Sequence, residues 1–482
     1  MGAAAEPTRA GEIPRTRDDP PELPDPVDLD PLPRRWAVFV VVALSLLMFS
    51  IDQTAVSTAL TTLSHGLAVD LAWASWTITV AAVGQILALP FGGWLTDQLG
   101  KRAVYLTAVG AFTLCAIGCG VSQGIEQLIV LRFLQGVAGG IVLPAASAVV
   151  AHAFGRDRDV ALALFTSVFP FGTVLGPLTG GLLVEVWSWR AIFLINVPFG
   201  LVLVIGGLVV LTGADRAPRR RSADLAGAAM LIAALISTMV AITIVGSPGA
   251  GTARPVLVTV AAVAALAFGW RFLRRTRRHP DPIVPLRLLT GAGLSALNVT
   301  NICYGAAVIG SAVLLPLLAQ SRYGMSPFMS GVPMAVRSLG IVACSAVAVA
   351  TLRRAGHRPL LLSGFASIIV GLLLTALPSP GVDPVTWLCI GSALAGFGVG
   401  LAGPATSNAG LHLVPGDVAA VAGLRVMFRQ IGGILTISVV TATIAATGLP
   451  GAVTAAGFAG IAALLVVGAI VAARLPNHAG RW

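Results

Sequence analysis

The chain has 482 residues, of which 56% are hydrophobic and only 11% charged. A soluble domain carries about a quarter charged residues, so this composition excludes a water-exposed globule. The net charge of +11 would suit a nucleic-acid binder, but the basic residues form short clusters between apolar runs, where a membrane protein keeps them. Nucleic acid is therefore not an expected partner.

Residues 1–33 hold eight prolines and eight acids and no apolar core. They read as a disordered tail rather than a cleavable leader, leaving the first span as its own insertion signal. Beyond them, apolar runs of about 20 residues recur, the length a helix needs to cross hydrocarbon, and they are continuous rather than alternating as in a barrel. The pattern predicts an all-α polytopic membrane protein with fourteen helices, at 36–60, 74–96, 103–122, 127–150, 159–184, 190–211, 224–246, 254–273, 292–319, 328–350, 359–378, 385–410, 420–446 and 452–473.

Threading these spans puts 24 of the 31 Lys+Arg residues on the side that holds both tails. Three (Arg190, Arg254, Arg322) fall opposite and four (Arg132, Arg337, Arg425, Arg429) fall inside spans. Basic loops stay inside, so a multi-pass protein of the cell membrane with both termini cytoplasmic is expected. Trp36, Trp73, Trp76, Trp94, Trp187, Trp270 and Trp387 fall near span ends, as interfacial anchors. No connection is long enough for a soluble domain.

Arg-rich stretches at 212–223 and 271–291 bracket the seventh and eighth spans and mark them as an insertion. The expected organisation is a cytoplasmic tail 1–33, a six-helix bundle 34–211, an inserted helix pair 212–291 with basic loops, a second six-helix bundle 292–475 and a cytoplasmic tail 476–482. GWLTDQLGKR after the second span is echoed by TLRRAGHR after the tenth, matching Gly100 with Gly356 and Arg102 with Arg358.

Several polar or small residues stand out in order. Asp52 is the only carboxylate well inside a predicted span. Taken out of water, a carboxyl holds its proton more readily, so Asp52 is a candidate proton carrier; the alternative is an Asp held permanently by hydrogen bonds. In GGWLTDQLGKR, Gly93 and Gly100 allow a short turn, Asp97 caps or pairs locally, and Arg102 stays at phosphate level. In RFLQG, Arg132 lies inside its span with Gln135 and Gly136. An Arg at a span's centre costs about 2.5–3.5 kcal/mol to insert, so it requires a partner, either in a static pair or tuning a nearby acid.

GTVLGPLTGG places Gly172, Gly176 and Gly180 on one helix face, widened by Gly181, with Pro177 favouring a bend. This is a close-packing face that also suits a gate. Asn298, Asn301, Tyr304 and Arg337 are polar at depth in the second bundle and are candidates for a substrate cavity. Arg425 and Arg429 lie nearer their span's end, where snorkelling is open to them. There is no GxxxxGK[ST] run for ATP and no GxSxG or HExxH for catalysis, so an enzyme is not expected. The five cysteines read as small buried hydrophobes, and neither a metal nor a cofactor is expected.

Six motifs in order resemble the major facilitator superfamily, in its fourteen-span drug:proton antiporter family. These are IDQTAVSTAL (51–60), GWLTDQLGKR (93–102), RFLQG (132–136), VLGPLTGG (174–181), WSWRAIFLINVPFG (187–200) and GMSPFMSGV (324–332). The resemblance covers 34–475. Gln98 stands where an Arg is usual, and Val426 where an Asn is usual. It implies the major facilitator fold, two six-helix bundles plus two inserted helices, and export of a small amphiphilic substrate against proton entry by alternating access. Protons and the lipid bilayer are then its partners, and the chain works as a monomer. A dedicated exporter of one self-made antibiotic or siderophore is the competing reading. A non-transporting sensor is weaker, for want of an output domain.

Overall fold

A computed structural model of the chain describes residues 32–211, 224–246, 254–279, 282, 293–413 and 418–474. Among the described residues there is no strand, and fourteen helices are long and apolar enough to cross a membrane. They are α1 (Arg34–Gly66), α2 (Leu71–Leu99), α3 (Lys101–Val121), α4 (Ile125–Phe154), α5 (Arg158–Val186), α6 (Ala191–Val210) and α7 (Leu225–Gly246). The remainder are α8 (Arg254–Thr276), α9 (Leu294–Tyr323), α10 (Pro327–Ala355), α11 (His357–Ala376), α12 (Pro384–Leu413), α13 (Val418–Thr447) and α14 (Pro450–Ala472). Every predicted span coincides with one of them. The expected tails and most of the basic stretches 212–223 and 271–291 lie outside the described residues.

The predicted ends fall short of the real ones in two ways. α1 continues past residue 60 through a 3₁₀ turn at Val56–Ala59 to reach Gly66. α2 and α10 run on to Leu99 and Ala355, because their polar last turns stay helical outside the apolar stretch that hydropathy detects. α9 contains a π-helical turn at Ala306–Gly310, which no apolar pattern signals.

The packing repeats itself eight helices later. α2 lies against α4, and α10 against α12; α1 against α5, and α9 against α13; α3 against α6, and α11 against α14. The contacts between these two sets obey the same rule, with α5 against α10 and α13 against α2. α7 packs on α13 and α2, and α8 on α7. α8 is the least enclosed helix, with 11% of its apolar window buried against 78% for α9. Exposed Leu114, Val209 and Leu266 place apolar side chains where lipid would lie.

Glycines let backbones touch at the tightest crossings. A Cβ at Gly136 would strike the Ala81 carbonyl of α2, and one at Gly396 would strike the Arg337 carbonyl of α10. Gly100 has φ +88° and Gly356 φ +79°, each opening the next helix, so the sequence echo between the two turns is also a conformational one. Gly93 is a correction. It sits inside α2, where an added Cβ would meet nothing within 4 Å, so it makes no turn. Trp76 is another: it is buried, and its indole N–H donates to Thr243 of α7 at 2.9 Å rather than anchoring at an interface. Trp36, Trp73, Trp187 and Trp270 are exposed, as anchors would be.

Candidate functional site

α1 brings Asp52 to the middle of its length, about 27 Å along the helix from Arg34. α4 brings Arg132 and, one turn on, Gln135; α6 brings Asn196. These four side chains meet. Arg132 Nη1 donates to Asp52 Oδ2 at 3.0 Å and to Gln135 Oε1 at 2.7 Å. Asn196 Nδ2 donates to Asp52 Oδ1 at 2.9 Å, and Gln135 Nε2 reaches the same oxygen at 3.5 Å. Arg132 Nε donates to the Thr77 carbonyl of α2 at 2.8 Å, and the Phe193 ring of α6 lies 5.4 Å from the guanidinium carbon.

Asp52 and Arg132 are each 3% exposed, and both amides 1%. The ion pair is thus out of water, and its charges are balanced by each other and by oriented dipoles. Arg132 also holds two neutral acceptors, the Thr77 carbonyl and Gln135, so its place does not depend on Asp52 alone. Around it, Gln85 Oε1 accepts from Gln53 of α1 at 2.7 Å and from Gln430 of α13 at 2.8 Å, which ties the pair's neighbourhood to the second set of helices.

The glycines of α5 divide by partner. Gly172, Gly176 and Gly180 face α1, where a Cβ would meet Ser50, Thr54 and Ala55 respectively. Gly181 faces the backbone of Pro327 and Phe328 at the start of α10, and Gly331 of α10 faces the Pro177 carbonyl. α5 stays helical through Pro177. Hydrogen bonds then join the two sets of helices near the loops 66–71, 186–191, 323–327 and 447–450. Gln320 donates to the Thr58 carbonyl at 3.0 Å and accepts from Thr61, and Ser75 meets Thr441 at 3.0 Å, while Ser338 donates to the Thr173 carbonyl at 3.0 Å deeper in the spans. Glu185 of α5 accepts from the Ser326 hydroxyl at 3.0 Å and the Phe328 N–H at 3.3 Å, capping α10. At the opposite end, Arg102 donates to the Leu208 carbonyl at 3.2 Å. The side chain of Asp97 lies outside the described residues.

Asn298, Asn301, Tyr304 and Arg337 are all buried, and the hydrogen bonds of the last three go to groups outside the Asp52 cluster. Tyr304 donates to the Val399 carbonyl at 3.0 Å and Asn301 to the Leu297 carbonyl at 2.9 Å. Arg337 Nη2 donates to the Ala307 and Val308 carbonyls of the π-turn at 3.2 and 2.9 Å. Asn196, Gln53, Gln85 and Gln430 were not among the sequence candidates. Asn196 and Gln85 are lone amides in apolar runs, while Gln53 and Gln430 each stand beside a charged residue already singled out, Asp52 and Arg429.

Such an architecture, fourteen spans in repeated packing around a membrane-buried ion pair, defines a polytopic transport protein. The signature of the Major Facilitator Superfamily matches residues 42–437. The chain belongs to that superfamily, in its drug:proton antiporter family. It is 29% identical over 417 residues to a "Tetracenomycin C resistance and export protein" of Streptomyces glaucescens, covering 83% of this chain and 74% of that one. It is 30% identical to a "Multidrug resistance protein B homolog" of Mycobacterium tuberculosis (82% and 73% covered), and 31% to a "Putative multidrug resistance protein MdtD" of Escherichia fergusonii (71% and 72%). A crystal structure of a POT family transporter in complex with 5-aminolevulinic acid shares the fold, with TM-score 0.67 at 13% identity, covering 91% of this chain and 94% of that one.

Proposed function

We propose that the protein is an efflux transporter driven by proton entry, with Asp52 as the proton carrier and Arg132 as its countercharge. The observation that carries this is the Asp52–Arg132 pair, held at mid-span by donors from α4 and α6. Protonation at the outer side would release Arg132 from its anion and free the Gln53–Gln85–Gln430 bridge to break, and the two six-helix halves (34–211 and 292–475) would rock about the α5–α10 and α2–α13 contacts. Each charge moved gains about 2.3 kcal/mol per 100 mV of membrane potential, enough to drive a modest gradient. With both termini cytoplasmic in the cell membrane, the bonded end described above would be the external one and the carrier would face inward. Gly172, Gly176 and Gly180 would let α5 move with α1 as a body, while Gly181 and Pro177 form the sliding contact with α10.

The test is exchange in vesicles. Asp52→Asn is expected to fold normally and to lose proton-driven efflux, and undiminished proton-coupled efflux in that variant would refute the role of Asp52. A dedicated exporter of one self-made metabolite is favoured by a specific likeness, that to the tetracenomycin C export protein. A substrate screen separates the two: a single transported compound supports the dedicated exporter, several unrelated ones the multidrug reading.

A further inference from the structure

Charge is distributed unevenly between the halves. Residues 293–474 contain eight arginines but two carboxylates, Asp383 in the 377–384 loop and Asp417 in the 414–417 connection, so no span of the second half contains an acid. Yet Arg337, Arg425 and Arg429 lie within spans. Arg337 is 5% exposed, about 15 Å along α10 from Pro327; Arg429 is about 27 Å along α13 from Thr447, with Arg425 one turn further. They converge on the stretch of α9 that holds Tyr304: Arg337 donates to the Ala307 and Val308 carbonyls, and a Cβ at Gly305 would strike the Arg429 carbonyl of α13. Among the described residues none of the three is in an ion pair: Asp52 is taken by Arg132 and Asp224 by Arg275. Arg337 reaches only neutral carbonyls, and the Nε atoms of both Arg337 and Arg429 are buried with no hydrogen-bond partner.

Snorkelling is open to Arg425 at the start of the Leu424–Thr447 span, but it does not account for Arg337, which is too far from either end and turns its head into the bundle toward α9. Buried guanidinium charge without a countercharge is among the costliest arrangements in hydrocarbon, and orphaned N–H donors add to it. A site of this kind is completed when a ligand brings the missing charge and acceptors.

We propose that Arg337 and Arg429, with Arg425 and Tyr304 beside them, form an anion-binding site in the second half, and that the cargo is an amphiphile bearing a carboxylate, sulfonate or similar acid group. This rests on the efflux reading and supplies its substrate class. The division of labour is physical: the first half holds a paired acid that handles protons, and the second holds unpaired cations that hold cargo. An anionic lipid headgroup offers the same chemistry as an anionic solute, so the experiment separates the two.

The full chain is placed in phosphatidylcholine nanodiscs, and equilibrium binding of 8-anilino-1-naphthalenesulfonate is compared with that of N-phenyl-1-naphthylamine, the same scaffold without the sulfonate, after subtracting partition into empty discs. The sulfonate is expected to bind saturably and about tenfold more weakly to Arg337→Gln and to Arg429→Gln, the loss of one charge-assisted hydrogen bond, while the amine is unaffected. Arg429→Gln keeps the test open should Arg337→Gln fail to fold. In discs containing phosphatidylglycerol, unchanged sulfonate affinity supports a solute site. Competition, with lipid retained by wild type and not by the variants in native mass spectrometry, supports a headgroup in the same site. Absence of saturable sulfonate binding, or equal binding by wild type and both folded variants, overturns the proposal. Binding needs no proton gradient, so sulfonate binding by the arginine variants and efflux by Asp52→Asn are read in separate assays. The failure of proton coupling and the failure of anion recognition thus give different results.

Discussion

At the residue scale, the Asp52–Arg132 pair is costly to break and less costly to delete. Arg132→Ala leaves a buried carboxylate with only Asn196 and Gln135, and should destabilise the protein by about 3–5 kcal/mol. The Asp52→Ala, Arg132→Ala double variant should recover part of that loss, read as melting temperature in detergent; a double variant no more stable than Arg132→Ala alone would argue against the pair. Asn196→Leu removes a donor that favours the carboxylate, leaving a lone pair unmet. We expect about 1–3 kcal/mol of lost stability, measured as melting temperature in detergent. Asp52 and Arg132 could be picked out in the sequence because a lone charge in an apolar run has few innocent explanations. Asn196 could not be. Its partner lies 144 positions away on another helix, and an amide in an apolar run is ordinary until the fold shows what it faces.

Elements show the same contrast between what chain chemistry fixes and what packing fixes. All fourteen spans could be read from hydropathy, since lipid leaves a spanning segment no option but to be helical. The role of a given glycine could not be. Gly93, inside α2 with open space around it, predicts that Gly93→Ala is neutral or stabilising by about 0.5–1 kcal/mol through helix propensity. Gly100→Ala, at φ +88°, should cost about 1–2 kcal/mol, and Gly176→Val, against Thr54, should abolish folding or transport. Thermal melts of the three variants check this ranking, and a destabilised Gly93→Ala would contradict it. The α7–α8 pair is fixed at its base by Arg275 Nε on Asp224 Oδ1 at 2.6 Å. Burial pushes the Asp224 carboxyl up, but the Arg275 hydrogen bond and the Gly227 N–H outweigh it and hold the group below the ordinary carboxylate value. The lowered group contributes stability that is complete above the ordinary value and lost as pH falls through the lowered one. The protection factor of the Gly227 amide should therefore be high and constant through neutral pH, and low at all pH values in Asp224→Asn.

For the whole molecule, the repeat could be read only at one turn, through Gly100 and Gly356; the remaining symmetry resides in which helices touch, which apolar runs do not record. The bonded end makes a direct prediction. With the native cysteines replaced, cysteines at Thr61 and Gln320 should cross-link on oxidation, stop transport and release it again on reduction. Transport that continues in the cross-linked protein would contradict rocking. Among the described residues, that end is closed by hydroxyls, amides and a capping carboxylate rather than by oppositely charged side chains. Water can replace each of those bonds at little net loss, whereas separating ion pairs would leave bare charges. A latch built this way opens at a rate indifferent to the saltiness of the medium, so a cell facing changing osmolarity would keep the same pumping speed.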